Sequence, residues 1–235
     1  MKSRAKRALL CFFVLIAGAV TFSCATNDDS GTHATNAILR GMVYSLNRMP
    51  VLDVKVSLLS DGKSTASTQT DIHGRYFFPN VPYGRVGLLF TKNGYEPLEW
   101  SFSFDKPTQV VYVQVVSLNE LLDRAEDSIA KRNWAEATAY LGRVRKIEPD
   151  NTVATYLEAE MLSRQGDPQR AAALLETLSS DRDPSLAVEL ALADLYQFKL
   201  GQNEKALQHL EKALMIQDDV DVENRVDALK KNSEQ

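Results

Sequence analysis

Histidines, serines and phosphate-binding glycines are the residues on which hydrolytic or metal-dependent chemistry in this chain would depend. The histidines are His33, His73 and His209, and none has partner ligands at the spacing of a zinc site. The sequence has neither a G-x-x-x-x-G-K loop, which cradles phosphates, nor a G-x-S-x-G turn, which presents a nucleophilic serine. We therefore expect no enzyme activity, no cofactor and no metal, and we interpret His73 as a turn residue.

One acidic run, Asp218-Asp219-x-Asp221-x-Glu223, could attract calcium weakly. It lacks the glycine and the ligand spacing of an EF-hand loop. Carboxylates just before a predicted helix also satisfy its free N–H groups. We interpret the run as the N-cap of the last helix.

The two cysteines, Cys11 and Cys24, lie near the N-terminus, which rules out a disulfide framework and a cysteine-based zinc site. The basic segment Lys2–Arg7 precedes 13 uncharged residues, Ala8–Val20. That stretch is too short to span a bilayer but has the length of the apolar region of a secretory signal. We predict that residues 1–23 are an export signal.

The segment Val20–Cys24 resembles a bacterial lipobox, although Thr21 and Phe22 depart from the usual pattern. The resemblance implies that Cys24 becomes the lipidated first residue and anchors the protein to a membrane of the cell envelope. Residues 24–36 are then a short polar tether. The alternative is ordinary signal cleavage after Ala19 or Ala25, which would release a soluble periplasmic or secreted protein.

Charge and composition exclude two classes of protein. The chain has 27 Lys and Arg against 31 Asp and Glu, a net charge of −4. The first 24 residues carry four basic side chains, so the rest of the chain is more acidic still. Nucleic-acid binding requires clustered basic residues, so no nucleic acid is expected as a partner. Hydrophobic residues make up 44% of the chain, which argues against a disordered protein.

Residues 37–117 alternate apolar and polar side chains, the pattern of strands with one buried face. Six turn signals divide this segment into about seven short strands, which favours a β-sandwich over a parallel sheet. The alternation is clearest in three groups: Val54, Val56 and Leu58; Val86, Leu88 and Phe90; and Val111, Val113 and Val115.

The stretch Thr70-Asp71-x-x-Gly74-x-Tyr76-x-Phe78-x-x-Val81-Pro82-x-Gly84, with Gly41-x-Val43 before it, resembles the carboxypeptidase regulatory-like domain. The resemblance implies a prealbumin-like, seven-stranded sandwich that serves as an accessory module without catalytic residues. In physical terms, Asp71 can cap the turn, Gly74 can adopt a positive φ, and Tyr76 and Phe78 can enter the core together.

From residue 118 the apolar period becomes helical and the sequence repeats. Ala137, Ala171 and Ala206 are 34 and 35 residues apart, and a leucine follows each by four positions. This spacing resembles the tetratricopeptide (TPR) family. The resemblance implies that residues 118–235 form an α-helical solenoid of about three repeats, ending in a capping helix with one apolar stripe.

The TPR resemblance also implies a concave surface lined by the first helix of each repeat. We predict that this groove binds a segment of an envelope protein partner. Two alternatives stay open: the aromatic residues pack between repeats, and the acidic residues form a solvated exterior. The predicted groove residues are Glu126, Tyr156, Glu160, Arg164, Phe198 and Lys199.

These observations favour a membrane-anchored, exported, non-enzymatic lipoprotein that acts as a scaffold through its TPR repeats. The alternative is an envelope lipoprotein that binds a glycan or another ligand through its β-sandwich, with the repeats as a stalk. Tyr83, Tyr95 and Trp100 motivate that alternative because aromatic rings stack on sugars, although the apolar strand around Trp100 favours a place in the core.

Overall fold

The computed structural model describes residues 35–180 and 185–233 of the 235-residue chain. The predicted signal segment 1–23, the predicted lipid-bearing Cys24 and most of the predicted tether lie outside these ranges. Every helix in the described ranges is too short or too polar to traverse a bilayer. The described chain begins at Thr35 and enters the first strand one residue later.

Strands come first along the chain, and seven lie within the described residues. Their bounds are Asn36–Tyr44 (β1), Lys55–Ser60 (β2), Lys63–Gln69 (β3), Arg75–Pro82 (β4), Gly84–Thr91 (β5), Leu98–Phe104 (β6) and Val110–Gln114 (β7). They form a three-stranded sheet of order β4-β1-β7 and a four-stranded sheet of order β3-β2-β5-β6. All neighbours are antiparallel except β1 and β7, which are parallel. The predicted seven-stranded sandwich is confirmed.

The core between the sheets is built from the alternating residues and includes Tyr76 and Phe78, as the sequence predicts. Their rings meet edge to face, with centroids 6.4 Å apart. The Tyr76 ring lies directly against Gly41: a Cβ at that position would be 2.2 Å from Tyr76 Cζ. The glycine of the Gly41-x-Val43 motif is therefore required to make room for the tyrosine.

The turn before β4 is held by Asp71. Its Oδ1 accepts hydrogen bonds of 2.9 Å from the backbone N–H groups of His73 and Arg75, and its other oxygen pairs with the Arg75 guanidinium at 2.8 Å. The bond from Arg75 and the backbone donors lower the pKa of Asp71 from 3.8 to about 2. Gly74 closes the turn at φ 72°. The predictions for Asp71, His73 and Gly74 agree with this geometry.

Helices follow the sandwich. Their bounds are Leu118–Ala130 (α1), Trp134–Ile147 (α2), Thr152–Gln165 (α3), Pro168–Ser179 (α4), Leu186–Asp194 (α5), Asn203–Ile216 (α6) and Val220–Ser233 (α7), and α5 continues into a π-helical turn at Leu195–Lys199. They pack as the pairs α1/α2, α3/α4 and α5/α6, with α7 against α6. The predicted TPR-type solenoid with a capping helix is confirmed.

Small and branched residues at repeated positions hold the helix pairs together. The alanines allow close approach of the paired helices, and the leucines fill the space beside them. In α7, one apolar stripe faces the solenoid and the opposite face is charged, as a terminal helix requires. The buried residues are Ala137, Ala171 and Ala206; Leu141, Leu175 and Leu210; and Val222, Val226 and Leu229.

Helix α1 follows the sandwich almost without a linker. Ser117 caps it in a reciprocal capping box with Glu120. Glu120 also accepts a 3.0 Å bond from the backbone N–H of Leu46, in the β1–β2 loop. Farther along, Arg143 of α2 forms a bidentate pair with Glu96 of the β5–β6 loop, at 2.6 and 3.1 Å. Side chains on both sides therefore fix the direction in which the helices leave the sandwich.

Candidate functional site

A pocket of about 320 Å³ lies between α3 and the helix formed by α5 and its π turn. These are the first helices of repeats two and three, which line the concave face in a TPR arrangement. The floor of the pocket is apolar, and its mouth carries charged side chains. The lining residues that matter below are Tyr156, Glu160, Asp194, Phe198 and Lys199. We call this pocket the groove pocket.

Local sequence fixes both ends of α3, one of the two helices that form the walls of the groove pocket. The Asn151 side chain caps α3 by accepting a 2.8 Å bond from the N–H of Ala154. Gly166 ends α3 at φ 89°, a left-handed conformation that glycine adopts without steric cost. Tyr156 and Glu160 are four residues apart within this helix, so their side chains lie on one face of α3.

The π turn Leu195–Lys199 accounts for the unequal repeat spacing. The N-caps Asn151 and Ser185 are 34 residues apart, whereas Gly166 and Gly201, which follow the same two helices, are 35 apart. The extra residue therefore lies inside the first helix of repeat three. A π turn is the way in which a helix accommodates a one-residue insertion. This turn carries two of the predicted groove residues.

Phe198 is the most exposed aromatic residue of the groove pocket, with 66% of its surface accessible. The guanidinium of Arg225, from α7, lies 5.4 Å from its ring centroid. The same guanidinium donates to Asp194 at 2.9 Å and to Gln197 at 2.7 Å. The capping helix thus supports the back of the Phe198 ring without covering the ring.

The charges at the mouth of the pocket are mostly neutralised. Arg164 pairs with Glu160 at 2.6 Å, and Arg225 pairs with Asp194. Among the described residues, Lys199 forms no ion pair. The open pocket is therefore apolar, with one cation at its rim that is available to an incoming carboxylate.

The structure brings five of the six predicted groove residues together. Four line the groove pocket and the fifth, Arg164, is joined to it through its ion pair with Glu160. Glu126 lies elsewhere, in a polar depression between α1 and the β1–β2 loop. The predicted register placed it in the groove, but the face of α1 that carries Glu126 turns toward that loop.

Tyr156 has both of the roles that the sequence left open. It packs against the core shared by repeats two and three, and burial raises the pKa of its hydroxyl. It also lines a second pocket, of about 270 Å³, together with Val153 and Val188. Tyr156 therefore contributes to two pockets as well as to the core.

A buried polar cluster that the sequence pattern does not predict lies between repeats two and three. Glu189 is fully buried and its carboxylate lies 2.7 Å from His209 Nδ1, while Ser179 Oγ donates to it at 2.5 Å. The other ring nitrogen of His209 lies 3.2 Å from Glu176, which also accepts a 2.9 Å bond from the Tyr196 hydroxyl. The signal in the sequence is a single glutamate inside the apolar run Leu186–Leu192. A glutamate at a buried position requires a hydrogen-bonding partner.

Within the described ranges, no group of three or more His, Cys, Asp or Glu side chains is arranged so that it could hold a metal ion. Cys24, the predicted lipidation site, lies outside those ranges. The acidic run acts at the start of α7, where Asp219 Oδ1 accepts from the N–H groups of Asp221 and Val222 at 2.8 and 3.2 Å. The prediction of an N-cap there is confirmed.

The three aromatic residues that motivated a glycan site are dispersed. Tyr83 precedes β5 and stacks on Phe104, whereas Tyr95 follows β5 at the junction with the helices. Trp100 was expected in the core and is 47% exposed. It lies opposite the buried Leu88, but β6 is an edge strand and nothing in the described sandwich covers that side of the ring.

Comparison with known proteins gives one family-model match. A model described as anaphase-promoting complex, cyclosome, subunit 3, matches residues 130–213, a little over a third of the chain. No curated protein matches the sequence.

Solved structures resemble each half separately. The TPR domain of Arabidopsis OM64 shares 12% identity over 48% of this chain and 94% of its own, with a TM-score of 0.42. A thermophilic TPR protein of Thermus thermophilus shares 21% identity over 48% of this chain and 63% of its own, also with 0.42. A streptococcal ancillary pilin shares 16% identity over 36% of this chain and 30% of its own, with 0.31. With the family-model match and the observed helix pairs, the helical half is a TPR-like solenoid that follows a β-sandwich.

Proposed function

We propose that this chain is an exported lipoprotein of the bacterial cell envelope that recruits a protein partner through the groove on its repeats and catalyses no reaction. TPR-like repeats are interaction modules, and the groove pocket offers what a peptide segment requires: an apolar cavity with an exposed aromatic ring at its mouth. The exposed Phe198 above this cavity is the observation that carries the proposal.

The partner segment inserts an apolar side chain between Tyr156 and Phe198. Lys199, which has no ion pair within the described residues, orients the segment by pairing with a carboxylate beside that anchor. The ion pairs Glu160–Arg164 and Asp194–Arg225 fix the walls, so little order is lost on binding.

The groove is tested by placing a photo-crosslinking amino acid at Lys199, with Lys146 of α2 as the control position, in cells that express the full chain. A peptide from the protein captured only at Lys199 is then titrated against the purified chain. We expect Phe198→Ala to weaken binding at least about tenfold, since hot-spot aromatics typically contribute about 2 kcal/mol or more. Met215→Ala, which truncates an apolar residue that is 86% exposed outside the pocket, is the matched control.

Binding that is unaffected by Phe198→Ala would exclude the groove pocket as the docking site. Capture at both crosslinking positions would indicate nonspecific contact and lead to the same conclusion.

The proposed anchor is tested by intact mass and detergent partitioning of the native protein and its Cys24→Ser variant. We expect an acylated mass and detergent-phase partitioning, both lost in the variant. Cys11→Ser is the matched control, because the first cysteine lies within the proposed export signal and is removed with it. An unmodified soluble chain would instead indicate a free periplasmic or secreted adaptor.

A further inference from the structure

The outer face of the β4-β1-β7 sheet carries exposed aromatic residues. Phe77 on β4 is 61% exposed and Tyr112 on β7 is 63% exposed, although an outward sheet position in contact with water is normally polar. Tyr44 stacks on Tyr112 with ring centroids 6.4 Å apart, and Val110 adds apolar surface. We call this surface the aromatic face.

Strand register sets the spacing on this face. Arg40 lies opposite Phe77 on one side and Val110 on the other, and the next outward residue of β1, Met42, lies opposite Arg75 and Tyr112. Two strand spacings and one two-residue step place Phe77 and Tyr112 roughly 12 Å apart, with a guanidinium between them.

The charge of the aromatic face has one sign. None of its three strands contains an Asp or Glu, while two outward positions are arginines. Arg75 is paired with Asp71 in the adjacent turn, whereas Arg40 has no ion pair within the described residues. A face of this kind attracts an anionic ligand, and guanidinium groups pair with carboxylate or sulfate in a bidentate geometry.

We propose that the aromatic face binds an anionic polysaccharide. Sugar rings present apolar C–H faces that pack on Phe77 and Tyr112, and an acid group on an intervening residue pairs with Arg40. The ligand must alternate apolar ring faces with acid groups, and it must be extended enough to lie along an open sheet face. A charged glycan meets both requirements, whereas a helix or a peptide needs a groove. This site is separate from the groove pocket and does not depend on it.

The test titrates the full chain by calorimetry with polygalacturonate, alginate and heparin, and with dextran as the neutral control. We expect binding to at least one acidic polymer, no binding to dextran, and affinity that decreases with salt. Phe77→Ala and Tyr112→Ala should each weaken binding about tenfold, and Arg40→Glu should weaken it at least as much.

Two control variants separate this site from the proposed groove. Phe198→Ala removes an equally exposed ring from the helical half, and Arg85→Glu reverses an exposed charge on β5, in the other sheet. Both should bind the acidic polymer as the parent chain does. Because the altered side chains on the aromatic face are exposed, thermal unfolding should show that each variant is folded.

Three outcomes would overturn the proposal: no binding to any acidic polymer, equal binding to dextran, or unchanged binding of both aromatic variants. Loss of a protein ligand or of self-association in the Phe77→Ala variant, without glycan binding by the parent, would identify the face as a protein interface and overturn it as well.

Discussion

The buried pair Glu189–His209 gives the sharpest stability prediction. Replacing either member by leucine leaves the other polar group buried and without the 2.7 Å bond that joins the two. Glu189 is fully buried and His209 is 4% exposed, so water cannot replace the lost bond. Breaking a buried pair in this way costs about 3–5 kcal/mol, a large part of the roughly 5–15 kcal/mol that typically separates folded from unfolded domains.

Replacing both residues by leucine should cost much less than the sum of the single substitutions. The double variant leaves no unpartnered charge at the centre, and an apolar pair of similar volume fills the space. The two single effects should therefore be coupled by at least about 1–3 kcal/mol. Ser179 loses an acceptor in both Glu189 variants, so this contribution cancels in the cycle.

Urea unfolding of the four proteins, followed by circular dichroism at 222 nm, measures these costs because the helical half dominates that signal. We expect both single variants to unfold at clearly lower urea, with unchanged m-values. Single costs below about 1 kcal/mol, or costs that simply add in the double variant, would refute the reasoning that this cluster is a tightly coupled buried pair.

Four further predictions concern single positions. Tyr76→Phe should stabilise the sandwich by up to about 1 kcal/mol in thermal unfolding, because the buried Tyr76 hydroxyl has no hydrogen-bond partner within the described residues. In the same assay, Gly41→Ala should destabilise the sandwich by about 1–3 kcal/mol or more, since the new Cβ overlaps the tyrosine ring. Arg132→Gly should raise stability by roughly 1 kcal/mol in the same assay, because Arg132 has φ 61° at the end of the first helix, where repeats two and three have glycine. Because the pKa of Asp71 is low, the folded state binds fewer protons than the unfolded state between about pH 4 and 2. The melting temperature of the parent should therefore fall over that range, and that of Asp71→Asn should fall less. Equal slopes of melting temperature against pH would contradict the assignment.

Periodicity predicted the fold well because both halves repeat a short physical rule. Period-two alternation gave the buried positions of the sandwich, and the recurring alanines gave the helix pairs of the solenoid. The spacing of 35 rather than 34 residues before Ala206 is visible in the sequence, but the position of the inserted residue is not. A one-residue insertion fits equally in a loop or in a helix, and only packing decides that the π turn Leu195–Lys199 absorbs it.

The errors have local causes. Glu126 was assigned to the groove from repeat register alone, and register does not tell which neighbours a terminal repeat meets when another domain precedes it. Trp100 has the core-facing phase of its strand, but its strand is at a sheet edge, and strand order is not readable from alternation. The Glu189–His209 cluster joins residues 20 positions apart on different helices, so a one-dimensional pattern could show only that one glutamate was out of place.

The parallel pairing of β1 with β7 determines how the sandwich responds to pulling. The chain enters at the start of β1 and leaves after β7, so tension between Thr35 and Ser117 draws these two strands in opposite directions along their own axes. The five register pairs from Arg40↔Val110 to Tyr44↔Gln114 are then loaded together in shear instead of opening one after another. We therefore expect the sandwich to resist unfolding by tension applied between Thr35 and Ser117.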